Sequence, residues 1–389
     1  MNTIDSALVE SKGVGKGFDL LRLALAAAII FDHCFTISTG STTVIGTGIA
    51  QSSVESINQT AAFDPVAWLK FVFLRKHNPD GHFALMLVPM FFALSGFLVT
   101  GSAYRTKTVV RFLAFRGIRI VPALFVEVSL SALLLGPILT TVPLTKYFSD
   151  PTFYEYFGNI MGRVRYLLPG LFLSNPYGAI VNGNLWTLPA EFYCYLIIGT
   201  IMVLGTLFRR AVFSVILSVA LTAFIIFDVA FRETYTSDMQ HYTANAVAFF
   251  FCGSLFFQWK EFIPLNKWLF LFCASLVYIS VVSTPTVHRW LEYGNLLALT
   301  YATVYIGFMN LPRIPILQNG DYSYGMYLYG FPIQQSLIAI FDQLRGHPFY
   351  LLEAALPLTM IFAMFSWHFF EKPAMLLKQT QVWRRQFGN

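Results

Sequence analysis

From Phe18 onward the chain is a series of apolar runs, each about as long as a bilayer is thick, separated by short polar segments. The pattern predicts ten spans, at 18–37, 82–102, 119–140, 184–207, 211–230, 242–258, 267–284, 290–310, 321–341 and 350–371. The runs near 184, 242 and 290 are thinned by Asn, Gly and Thr. An even number of spans places both termini on one side. The expected architecture is therefore all-α, a polytopic transmembrane helix bundle of about ten spans with both termini cytoplasmic. One membrane domain covers 1–375, and a cytoplasmic C-terminal tail follows at 376–389.

Composition agrees with the pattern. Hydrophobic residues make up 56% of the chain and charged residues only 12%, with a mean hydropathy of +0.60. A soluble domain would carry about twice that charge. The stretch "LALAAAIIF" followed by "STGSTT" resembles a cleavable signal peptide, but Asp19 and Arg22 interrupt the run and many spans follow, so a retained first helix is expected. The four cysteines, Cys34, Cys194, Cys252 and Cys273, lie in apolar runs at no metal-ligand spacing, which predicts packed thiols and no metal site.

The basic residues orient the bundle. With both termini inside, 16 of the 26 lysines and arginines fall on inner segments and only three on short outer loops. The net charge of +6 is thus a topology signal, and no arginine-rich arm with interleaved aromatics points to nucleic acid. No internal repeat or appended soluble domain is evident. The outer loop 38–81, with "STGSTTVIGTG" and "FDPVAWLKFVF", is expected to form a partly ordered lid, and "LPRIPILQNG" at 311–320 a connector. Most of the 40 phenylalanines are expected to face lipid or pack the interior.

Against that background the intramembrane ionisable groups stand out, because a charge near mid-bilayer costs roughly 2.5–3.5 kcal/mol on insertion scales. The first span, "FDLLRLALAAAIIFDHC", carries four: Asp19, Arg22, Asp32 and His33. Arg22 and His33 are 11 residues apart, about three helical turns, so they share a face roughly 16 Å apart along the axis. Arg22, a turn inside the cytoplasmic end, can meet an anionic ligand or snorkel; Asp19 is its expected partner there. His33 lies beyond mid-bilayer, where an imidazole can take a proton from a hydroxyl or accept an acyl group. Asp32 is about 100° round the helix and is not expected to pair with it.

Two further groups follow. In "YRTKTVVRFLAFRGIRIVPAL" five basic residues have no acid among them, and Arg116 and Arg119, three apart on a helix, can face one phosphate-bearing ligand. In "NGNLWTLPAEFYCYL" Glu191 lies in or at the rim of an apolar run, where a carboxylate orients an imidazole, binds sugar hydroxyls, acts as acid or base, or makes an interhelical hydrogen bond. Trp186 and Tyr193 suit either an interface anchor or a sugar-stacking role.

The ordered set of segments resembles membrane acyltransferase family 3, which includes bacterial O-acetyltransferases of surface polysaccharides and Nod factors. "FDLLRLALAAAIIFDH" is similar to the family's opening Asp, Arg and His pattern, "MFFALSGFLVT" to its Phe-Phe and Ser-Gly-Phe-Leu segment, and "RGIRIVPAL" to its arginine pair and proline. "NLWTLPAEFYCYL" resembles its Glu-Phe-Tyr segment, and "GDYSYGMYLYGFPIQ" and "WHFFEKPAMLLK" its two late motifs. The resemblance implies acyl transfer, usually of acetyl from cytoplasmic acetyl-CoA, to a hydroxyl of a polysaccharide, oligosaccharide or lipid-linked glycan at the bacterial inner membrane. It implies His33 as base or transient acyl acceptor, Glu191 as its assistant or the acceptor's, and Arg22, Arg116 and Arg119 as holders of the donor. Asp32, Trp186 and Tyr193 become candidate acceptor contacts. Gly330 stands where some relatives have a histidine, so no catalysis is expected there. Asp32 stands where an apolar residue is more usual. The chain ends without the extracytoplasmic hydrolase-like domain fused to some relatives, so a single-protein transferase is expected. The rival class is a proton-coupled transporter or flippase in which His33, Asp32 and Glu191 relay protons, and a third is a non-catalytic partner in glycan assembly.

Overall fold

The computed structural model describes residues 2–11, 17–40, 84–231, 238–283, 285–312 and 320–377. The expected lid beyond residue 40, most of the 311–320 connector and the tail from 378 lie outside the described residues. Each predicted span falls on a helix. In chain order these are a short α1 (Ile4–Glu10), then α2 (Phe18–Thr39), α3 (Ala84–Thr106), α4 (Val109–Leu139), the short α5 (Leu144–Ser149) and α6 (Pro151–Tyr156), and α7 (Thr187–Val203). After these come α8 (Arg210–Phe231), α9 (Asp238–Gln258), α10 (Lys267–Val282), α11 (Pro285–Phe308), α12 (Ser323–Ile340) and α13 (Pro348–Leu376). Among the described residues there is no strand, only an isolated bridge between Thr3 and Pro264.

The fold is an all-α membrane bundle, and six of its helices, α2, α3, α4, α7, α8 and α13, are long and apolar enough to cross a bilayer. The remaining helices at predicted spans fall short for two reasons. With 16 residues, α10 is about 24 Å long, less than the ~30 Å hydrocarbon core, and the apolar part of α9, Thr243–Gln258, is equally short. By contrast, α11 and α12 are diluted by polar side chains that they bury against neighbours, Glu292, Asn295, Thr300 and Thr303 on one and Gln334 and Gln335 on the other. The largest boundary difference is in α4. It begins at Val109, ten residues before the predicted span, because Arg111 and Arg116 lower the hydropathy of a stretch that contains no proline.

Contacts divide the chain into two compact units. The first comprises Met1–Leu21, Thr42–Arg105 and Thr200–Leu311. Its tightest contact joins α3 to α9, where a Cβ on Gly96 would lie 1.8 Å from the Phe250 carbonyl oxygen and one on Gly253 2.0 Å from that of Ala93. The glycine of "SGF" is therefore a small-residue helix contact, the means by which membrane helices approach closely without a hydrophobic driving force. Gly96→Ala is expected to cost about 1–3 kcal/mol by overpacking, read as a lower thermal midpoint of the purified protein; an unchanged midpoint would contradict the packing. At one end of this unit Ile4 N–H donates to the Ile263 carbonyl (3.0 Å), Asp5 pairs with Lys260, and Gln258 Nε2 and the Tyr104 hydroxyl both donate to the Leu207 carbonyl (2.9 and 2.8 Å). All of these belong to segments that the basic-residue count assigns to the cytoplasmic side.

The second unit comprises Arg22–Ser41, Thr106–Gly199 and Pro312–Asn389. Its centre is α12, packed along α13, where Gly325 lets the helices meet at Ala363. At the end assigned to the outside, Gly346 N–H donates to the Ser38 carbonyl (2.8 Å), and Arg345 Nη1 to that of Ser174 (3.1 Å). There α5 and α6 close a cap whose core includes Tyr147, Phe153 and Tyr156, with the Tyr147 hydroxyl donating to the Ala132 carbonyl (2.8 Å) in a widened turn of α4.

Candidate active site

All of the sequence-predicted site residues lie in the second unit. Near the end that the basic-residue count assigns to the cytoplasm, α2 presents Arg22, α4 presents Arg116 and Arg119, and Asp321 sits just before α12. A single Asp321 oxygen, Oδ2, accepts from Arg22 Nη1 at 3.3 Å and from Arg119 Nη2 at 2.5 Å, while Oδ1 accepts from the Ser323 hydroxyl at 2.6 Å. A carboxylate facing Arg22 thus comes from 299 residues along the chain, a pairing that the local sequence did not indicate. Arg116 lies over the Tyr195 ring, 5.9 Å from its centroid, and the Tyr195 hydroxyl donates to Glu191 one helical turn away. Arg116 is within electrostatic reach of Arg22, Arg119 and Glu191, and Glu371, held by the Ser366 hydroxyl at 2.9 Å, is within reach of Arg119 and Asp321. Three guanidinium groups and three carboxylates therefore share one neighbourhood. In a membrane interior that balance is what keeps cationic groups affordable and fixes their orientation.

His33 is placed three turns further along the same face of α2, and it is 6% exposed. Its ring meets Phe331 of α12 edge to face, with centroids 5.2 Å apart, and its buried Nδ1 has no hydrogen-bond partner among the described residues. No hydrogen bond or ion pair among the described residues joins His33 to the half-buried Asp32, as the helical angle between them requires, and none joins it to Glu191. Glu191 instead belongs, through Tyr195, to the arginine cluster. Trp186 is half-buried in the turn that leads into α7, and Tyr193 is 61% exposed beside Phe192 and Ile197 on the outward apolar face of that helix. Among the described residues, no hydrogen bond or ring contact joins either of them to His33 or the arginines.

Local sequence explains how Phe331 reaches the imidazole. Pro332 has no N–H, so the Leu328 carbonyl one turn earlier loses its intrahelical donor and accepts instead from Asn182 Nδ2 at 3.0 Å. Asn184 Nδ2 donates to the neighbouring Tyr327 carbonyl at 2.6 Å. Between these two asparagines a Cβ on Gly183 would lie 2.6 Å from Phe331 Cε2, so "NGN" both caps the gap left by the proline and leaves room for the ring. Asn182 also donates to Glu127 (2.9 Å), a fully buried acid that accepts from Ser131 as well (3.0 Å).

Sequence reasoning passed over Asp321, Glu371 and Glu127. Asp321 and Glu371 lie inside the late segments "GDYSYGMYLYGFPIQ" and "WHFFEKPAMLLK", and Glu127 inside "VPALFVEVSL". The rule that singled out Glu191, a carboxylate in apolar surroundings, would have flagged all three.

The apolar helices define a multi-pass membrane protein, and its second unit holds a buried imidazole and an oriented guanidinium cluster at two levels of α2. The chain belongs to the acyltransferase family: residues 16–368 match its model, described as an acyltransferase domain. It is similar to an O-acetyl transferase of Shigella phage Sf6, 30% identical over 304 residues that cover 73% of this chain and 83% of the relative. It is also similar to Nodulation protein 10 of Rhizobium leguminosarum bv. viciae, 27% identical over 397 residues that cover 96% and 97%. No solved structure matches.

Proposed function

We propose that this acyltransferase is an O-acyltransferase of the bacterial inner membrane, moving acetyl or another small acyl group from cytoplasmic acyl-CoA to a hydroxyl of a surface polysaccharide or glycolipid. The observation that carries the proposal is the stacking of His33 above the arginine cluster on one helix face. An anionic donor meets oriented guanidinium groups at the cytoplasmic end, and the roughly 16 Å along α2 is a span that the extended pantetheine arm can cover. Arg22, Arg116 and Arg119 hold the donor's phosphates, with Asp321 and Glu191 fixing the guanidinium directions.

At His33 the imidazole takes the proton of the acceptor hydroxyl as its oxygen attacks the thioester carbonyl carbon. The tetrahedral intermediate then expels the thiolate, breaking the C–S bond, and the imidazolium returns the proton to sulfur. Ester and free coenzyme A leave with atoms and charge balanced. Membership of the acyltransferase family favours this reading over a transporter that would use the same ionisable groups to relay protons. The name of the Shigella phage relative, an O-acetyl transferase, favours acetyl as the group moved and a hydroxyl oxygen as its recipient.

The test uses the full-length protein in nanodiscs, acetyl-labelled acetyl-CoA and surface polysaccharide extracted from cells that lack the protein. Label is expected on the polysaccharide, released by mild alkali as an ester would be. Label confined to acetyl-CoA and free acetate would overturn the proposal.

A further inference from the structure

The base at the centre of the proposed reaction lacks the usual means of orientation. Catalytic imidazoles are commonly held by a carboxylate at one ring nitrogen, yet His33 Nδ1 is buried with no partner among the described residues. Its direction must therefore come from what seats the helical turn that carries it.

That seat is on α12. Gln334 is fully buried, and its Nε2 donates to the Ile30 carbonyl at 2.7 Å and to Cys34 Sγ at 2.9 Å, the residues that begin and end the turn containing His33. Its carbonyl oxygen has no partner among the described residues, so the donor end is the half of the amide in use. One turn earlier on the same face, a Cβ on Gly330 would lie 2.8 Å from Ile30 Cγ1, an approach that favours glycine. Between the two, Phe331 places its ring against the imidazole. Three residues of α12 thus bracket one turn of α2: a close contact, a ring contact and a donated hydrogen bond.

We propose that Gln334 is a positioning residue for His33, setting through the Ile30 carbonyl the height and rotation of the catalytic turn. This rests on the reading of His33 as the base. It also gives Gly330 a structural reason: the position serves the approach of α12 to α2. Displacements of about 1 Å at a reacting group can cost roughly a hundredfold in rate, so loss of the bond should appear in kcat.

The experiment uses Gln334→Met, which keeps volume and removes the donor, in the nanodisc assay with labelled acetyl-CoA and extracted polysaccharide. The expected result is a fall in kcat of about tenfold or more, with KM for both substrates within about twofold of the parent and an unchanged thermal midpoint. Gly330→Ala presses on the same turn and should give the same split. It also decides the matter if Gln334→Met accumulates poorly. Parental kcat in a variant present at normal amount overturns the inference, as does a rise in KM without a fall in kcat. Absence of transfer by the parent would instead refute the proposed function, and full activity of a His33 variant would refute the base.

Discussion

His33→Ala is expected to lower acyl transfer by roughly 10²–10⁴-fold, the range attributed to a positioned general base. The structure separates this chemical effect from a folding one. His33 Nδ1 has no partner to strand when the ring is removed, and the ring's edge contact with Phe331 is worth about 0.5–1.5 kcal/mol, small for a bundle of this size. The variant should therefore reach the membrane in normal amount, bind acetyl-CoA through the arginines with parental affinity, and fail to esterify the polysaccharide. Binding of labelled acetyl-CoA in nanodiscs, measured beside transfer, checks both halves. A variant that transfers at the parental rate would remove His33 from the mechanism. In the parent without polysaccharide, label on the protein would make the imidazole an acyl carrier, and a clean protein would make it a base.

What the sequence made visible follows the range of the physics involved. Apolar run length and basic-residue bias are local, and they placed a helix at each predicted position. The relation of Arg22 to His33 is also local, an offset of 11 residues on one helix. What stayed hidden depends on tertiary contact. Asp321 is 299 residues from Arg22, and no spacing rule could pair them. Glu191 was legible as an acid needing a partner, but its attachment to the arginine side depends on Tyr195 lying over Arg116. The lower hydropathy of α11 and α12 has a related cause. Their polar residues face neighbouring helices, so composition averaged over the helix understates how well each element suits a membrane interior.

Asp321→Ala is expected to have an effect approaching that of His33→Ala, because one carboxylate oxygen orients two of the three guanidinium groups proposed to receive the donor. Without it, Arg22 and Arg119 keep their charge but lose their common anchor, and their mutual repulsion, less compensated at close range, drives them apart. The side chains of the three residues are 16–30% exposed, so solvent screening moderates the stability cost, and the main loss should be in transfer, about a hundredfold through misplacement of the donor. Asp321→Asn keeps the shape and one acceptor oxygen and should fall between alanine and the parent. A double-mutant cycle then tests whether Asp321 works through its partners. Adding Arg22→Ala to Asp321→Ala should cost less than Arg22→Ala alone, with a coupling of about 0.5–3 kcal/mol. Arg22→Lys should retain more activity than Arg22→Ala, since Asp321 meets Arg22 through a single nitrogen that an ammonium can replace. Strictly additive losses would mean that Asp321 and Arg22 act independently, and the anchored cluster would then not be the donor's seat.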